Sequence, residues 1–202
     1  MNEYLEESRR TYWKQLREMD PGEVAWRALV SHEREVYVVP CLGSEYRVDP
    51  KTERVFTSIG EEVAEADFAF LFVQYLIHAD DISFAGEWIN ERDLQGGSLF
   101  FQGPHALPAK VLEKDYGYST VDFSNTCKSA GGKELKPSFG DAGFEFQLFP
   151  RVIIAVVLWV GDDEFPPRVN ILFDRSLDGQ YPLDVVLYMV NHIVQTLAGT
   201  SG

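Results

Sequence analysis

One stretch constrains the fold more than any other: the unbroken apolar run from Val152 to Val160. It is apolar at both parities and rich in β-branched residues, the pattern of a central strand covered on both faces. It is far too short for the roughly 20 residues that a membrane-spanning helix needs. Its neighbours in sequence supply partners. From Ala142 to Phe149, Phe144, Phe146 and Leu148 alternate with Gly143, Glu145 and Gln147, which predicts a half-buried strand. Phe149-Pro150-Arg151 turns the chain into the run, Gly161 to Pro167 turns it out again, and Arg168 to Phe173 returns as a third strand. A loop over Asp178 to Tyr181 leads to an amphipathic closing helix, Pro182 to Leu197, ended by Gly199.

The first half of the chain reads differently. Asn2 to Met19 has Tyr4, Leu5, Tyr12, Trp13, Leu16 and Met19 near helical spacing. Asp20-Pro21 restarts the chain as a second short helix to about Val30, with aspartate as cap and proline in the first turn. Glu35 to Val39, Tyr46 to Val48 and Arg54 to Phe56 then predict an antiparallel meander, with Pro40 at a sheet edge or strand end. Glu61 to His78 predicts a helix whose first turns hold Glu61, Glu62 and Glu65, where acids suit the macrodipole. Ile82 to Leu107 is rich in glycine and aromatics and reads as mostly irregular, with a helical turn at Ile89 to Asp93. Two weaker helices follow, Pro108 to Tyr116 and Ser119 to Ser129.

These elements predict an α+β fold with a mostly antiparallel sheet, an N-terminal meander plus a C-terminal three-strand unit, packed with helices and closed by the C-terminal amphipathic helix. The expected organisation is one domain over 1–202, with a helical segment at 1–34, the meander at 35–60, a helical and loop-rich middle at 61–139, and the strands with their closing helix at 140–202.

Charge narrows the function. The chain holds 18 Lys and Arg against 32 Asp and Glu, a net charge of −14 over 202 residues. That disfavours nucleic acid, which needs a basic footprint, and anionic membrane surfaces. The two cysteines, Cys41 and Cys127, form no CxxC motif and suit a reducing cytoplasm with both thiols buried or idle, although sequence leaves a bridge between them open. A single-chain iron–sulfur or structural zinc site would need more thiolates. The charged N-terminus has no apolar core of a signal peptide, so the expected location is cytoplasmic.

The candidate chemistry lies in a few places. Asp162-Asp163-Glu164 sits at a strand-to-strand turn and offers oxygens to a hard cation, or else simply bonds its own backbone. With tight turns between the last three strands, Glu145 and Asp174 both fall opposite about Ala155, as an acid/base pair or as two acceptors gripping a ligand. The competing reading has Asp174 capping the Ser176 turn and Glu145 facing solvent. His78 with Asp80 and Asp81 has the composition of a facial triad, but all three are local in sequence. His105 follows an aromatic loop containing Phe100 and Phe101, and with Trp88 these aromatics either line a pocket or fill the core. Gly96-Gly97 is neither a dinucleotide fingerprint nor a P-loop, and no hydrolase, zincin or kinase signature occurs. The candidate ligand-binding residues are therefore Glu145, Asp162, Glu164, Asp174, Trp88, Phe100, Phe101 and His105. No metal site or cofactor is assigned beyond an unidentified small ligand.

Gly140-Asp141, Phe149-Pro150, Leu158-Trp159, Asp162, Glu164-Phe165-Pro166 and Leu172-Phe173-Asp174, preceded by Tyr75-Leu76, Gly86-Glu87-Trp88 and Gly96-Gly97, resemble an uncharacterised family, domain of unknown function 3786. The resemblance covers roughly Val63 to Leu197. It implies a setting in anaerobic bacteria and archaea, where some members add cysteine-rich cluster modules, and it implies no activity and no catalytic residue. The function expected is a cytoplasmic small-ligand or cofactor-binding accessory domain of anaerobic metabolism. The alternatives are a protein-interaction module or homodimer, and a carboxylate-dependent enzyme.

Overall fold

Two antiparallel sheets and seven α-helices make up an α+β fold among the residues that the computed structural model describes, 2–136 and 139–199. They fall into two compact units, Met1–Ser83 with Phe149–Arg151, and Phe84–Leu148 with Val152–Gly202.

The first unit opens with α1 (Asn2–Glu18) and α2 (Pro21–Arg27). The Asp20 carboxylate accepts the Glu23 N–H at 2.8 Å, as its cap position predicts. A four-stranded meander follows: β1 (Ser31–Glu33), β2 (Val36–Cys41), β3 (Ser44–Asp49) and β4 (Arg54–Thr57), in sequence order across the sheet. β1 is one strand more than the sequence pattern predicts. Its pairing with β2 stops at Val38, so Pro40 lies beyond its end. Cys41 and Ser44 close a two-residue turn, and strand alternation then points the Pro40 nitrogen away from β3, where no ladder bond is lost.

The helix expected from Glu61 begins later, as α3 (Ala66–His78). Glu61 and Glu62 are not in its first turns. The Val63 N–H donates to Val55 and the Thr57 N–H to Glu61, with a bridge between Phe56 and Glu62, so residues 61–63 run beside β4. Main-chain pairing there outweighs the favourable charge at a helix start, and Asp67 is the acid of the first turn.

Arg151 organises the interior of this unit. It is 8% exposed, and its guanidinium donates to the Arg27 and Ile82 carbonyls and pairs with Asp81. Tyr75 stacks on Phe149 at 4.3 Å, donates its hydroxyl to the Ala28 carbonyl and accepts the Arg151 N–H. A buried guanidinium is tolerable only with its donors satisfied in this way.

The second unit contains β5 (Trp88–Ile89), α4 (Gly97–Phe100), α5 (Ala109–Tyr116), α6 (Thr120–Ser129), β6 (Lys133–Glu134), β7 (Ala142–Phe149, its last residue counted with the first unit), β8 (Val152–Trp159), β9 (Arg168–Asp174) and α7 (Leu183–Gly199). The sheet order is β5-β9-β8-β7-β6. The apolar run is thus the middle strand. Ile154, Val156 and Leu158 pair with Phe173, Ile171 and Val169, all buried. Ala155 and Val157 on the opposite face join Leu135, with Trp88 and Leu172 packed against them. Both faces of β8 are covered, which explains why the run contains no polar residue. Cys41 and Cys127 are free and buried, and burial pushes the Cys127 thiol up to about 12.

The β1–β2 turn is made by Arg34 and Glu35, both at positive φ, 51° and 69°. Two-residue hairpins of this kind favour asparagine and glycine. Replacing Arg34→Asn together with Glu35→Gly is therefore expected to raise stability by about 1 kcal/mol, measured by urea unfolding.

Candidate functional site

Asp174 ends β9 and is 1% exposed. Its carboxylate accepts main-chain N–H groups from Ala85 at 2.8 Å, Gly86 at 2.7 Å and Ser176 at 2.9 Å. Burial opposes its charge, but the bonds from Ser176, Ala85 and Gly86 outweigh it and hold the carboxyl below its ordinary value. The segment before β5 is thereby fastened to β9. Glu87 extends the fastening. Its carboxylate takes both Nε and Nη2 of Arg175, at 2.6 and 2.8 Å, and its carbonyl accepts the Arg175 N–H. The Arg175 bonds lower the Glu87 pKa and raise that of Arg175.

Pinned there, β5 pairs only Trp88 with Asp174 and Ile89 with Phe173. At Asn90 the chain turns into a 3-10 turn, Glu91–Asp93, with the Asp93 carboxylate accepting the Asn90 N–H at 3.0 Å. Among the described residues, no strand lies beside the rest of β9 on that side. A cleft of about 530 Å³ opens there, within the size range of small-ligand sites. One wall is Asn90 to Asp93, another is Phe101 with Ala106 and Leu107, a third is Ala109 and Glu113 of α5, and the floor is Arg168 to Ile171. Glu113 Oε1 accepts the Val169 N–H at 3.1 Å, and Arg168 Nε donates to Asn170 at 2.9 Å. Arg92 Nε lies 3.7 Å from Glu91. The cleft thus combines an apolar wall with carboxylates, guanidinium groups and strand backbone.

Of the eight residues that the sequence singles out, Phe101 alone lines this cleft. Phe100 meets Phe101 edge-on at 5.1 Å and stacks on the exposed His105 at 4.7 Å. Trp88 packs against the Ala155 face. Asp162 accepts the Glu164 and Phe165 N–H groups, which lower its pKa, within an exposed turn. The Glu164 side chain is exposed there. Glu145 is half-buried opposite Lys133. The register differs from the symmetric pairing: Leu172 lies opposite Ala155, and Asp174 lies opposite Trp88. The longer returning turn moves Asp174 past Ala155, and its oxygens are engaged by main-chain donors. Among the described residues, no group of three or more His, Cys, Asp or Glu stands where it could hold a metal ion. Asp81, read with His78 and Asp80, is instead paired with Arg151. The cleft residues that sequence reading missed, Asn90 to Asp93, Glu113 and Arg168, come from three separate segments. Their one local signal is the Asn90-to-Asp93 capping pattern.

Fold and cleft together define an α+β protein with a polar cleft along a strand edge. The chain belongs to the family described as a domain of unknown function, DUF3786, whose model matches residues 20–196. No curated protein and no solved structure matches it.

Asp174→Ala is expected to cost about 3 kcal/mol of stability, because it leaves three N–H groups without their anionic acceptor. The depressed Asp174 pKa stabilises fully above its ordinary value of 3.8 and stops doing so as pH falls through its lower folded value. His192 adds an earlier loss. Burial pushes its pKa from 6.5 down to about 4, so between those values the unfolded chain binds a proton that the folded chain does not. Urea unfolding at stepped pH should show stability declining from about pH 6.5 downward, with the upper part of the decline removed by His192→Gln.

Proposed function

We propose that this chain is a binding module, and that its ligand is a small polar molecule or segment seated in the cleft beside β9. The observation that supports this reading most is the cleft's composition: three carboxylates, two guanidinium groups and an aromatic ring around a strand edge, in a volume suited to a small ligand. Catalysis by paired carboxylates has less support, because Asp174 is occupied by three N–H donors and Glu145 sits opposite Lys133. The proposed role is that of a cytoplasmic accessory domain in anaerobic metabolism. That setting rests on the family resemblance and on cysteine usage.

The test is a titration of the labelled chain with a library of small polar compounds, read by amide chemical shifts. Binders should shift Arg92, Phe101, Leu107 and Ile171. Ala106→Trp, at an exposed rim position, should abolish those shifts while leaving the unfolding midpoint unchanged. A library in which no compound moves these amides, or in which binders ignore Ala106→Trp, overturns the reading.

A further inference from the structure

The register of β5 on β9 fixes which way the uncovered part of β9 points. Arg175 donates its N–H to the Glu87 carbonyl, and Ile89 stands opposite Phe173. In an antiparallel ladder, alternate residues turn their main-chain groups to the same neighbour. Phe173, Ile171 and Val169 therefore all present their N–H and C=O groups to the side where β5 lies. Val169 confirms this independently, since its N–H reaches Glu113 on that side. Ile171 falls between the two. Continued, the ladder would set Glu91 opposite Ile171, but Glu91 has already entered the 3-10 turn, and no main-chain bond between them occurs among the described residues.

What remains is a stretch of β9 from Arg168 to Ile171, about 13 Å long at the usual strand rise of about 3.3 Å per residue, with no strand beside it on that side among the described residues. Its walls are those of the cleft. At one end a carboxylate already plays the part of a neighbouring strand's carbonyl, at Val169. Ile171 is 3% exposed, so a strand pairing with it must first part the side chains over its main chain, and it then supplies partners that water reaches poorly. Donor and acceptor at strand spacing are what an extended peptide satisfies when it adds to a sheet edge. Charge narrows the choice. Glu91, Asp93 and Glu113 outnumber Arg92 and Arg168 in the cleft by one, and the whole chain carries −14. Cationic partners are favoured and steered in.

We infer that the cleft takes an extended, lysine-bearing peptide segment of a partner protein, which adds to β9 opposite Ile171 as a short strand. This rests on the cleft being the binding site proposed above and names its ligand class.

The test uses the full labelled chain and capped hexapeptides of alternating valine and lysine, with a valine and glutamate peptide as control. The lysine peptide should shift the Val169 and Ile171 amides and bind about tenfold more tightly than the glutamate peptide. N-methylation at one alternate set of positions should weaken binding about tenfold, and at the other set hardly at all, since only one set faces β9. Equal effects of the two methylated sets or no shift at Ile171 overturns strand addition, and equal binding of the two peptides overturns the lysine assignment. If small polar compounds still move the cleft amides in that event, the cleft stands as a ligand site and only the peptide assignment falls. If neither class moves them, both readings fall.

Discussion

The second unit depends on one carboxylate. Asp174 sits where β9 ends and gathers three main-chain N–H groups, two of them from a segment nearly ninety positions away in sequence. Charge-assisted bonds to backbone are among the stronger ones a protein makes, and burial strengthens them. Ala85 and Gly86 cannot slide along the sheet while these bonds hold. The Glu87–Arg175 pair then leaves one register for β5, and that register decides where the strand stops. The cleft is a consequence: it begins where the fastened segment turns away from β9.

Glu87 and Arg175 are both exposed, and surface ion pairs ordinarily contribute little. Their geometry is two-pronged, and it works beside a main-chain bond between the same two residues. Its part is to select the register rather than to supply bulk stability. The same division of labour holds in the first unit, where Arg151 gains four bonding partners from three stretches of chain and fixes how they meet. In each unit, apolar burial supplies the driving force and one ionised group chooses among the ways of satisfying it.

The long elements were legible because each carries either a period or an unbroken apolar run. The alternation from Ala142 to Phe149 and the two-faced apolar run after it match β7 and β8. The Asp20-Pro21 signal matches the cap of α2. Elements with neither escaped. β5 and β6 are two residues each, too short to alternate, and exist because neighbouring strands offer them edges. Glu61 and Glu62 look like a helix start, yet a strand edge captured their backbone first. The cleft was hardly legible, because it is made from parts that share no local pattern. Arg168, Glu113 and Asn90 lie on three separate segments that only the fold brings together. Asp174 was visible as a candidate acid, but its three donors are invisible without the fold, and a shift of register moved it away from Ala155.

The bond from Glu113 to the Val169 N–H has a consequence for how this protein tolerates crowding. A bare strand edge recruits other chains, and at high concentration that leads to irreversible assemblies. A covering strand would prevent this permanently. A side chain prevents it provisionally, since one rotamer change withdraws the acceptor without disturbing the sheet. Any chain that competes for this edge must first displace a half-buried carboxylate and bring something better in its place. The edge is selective because its guard can be removed.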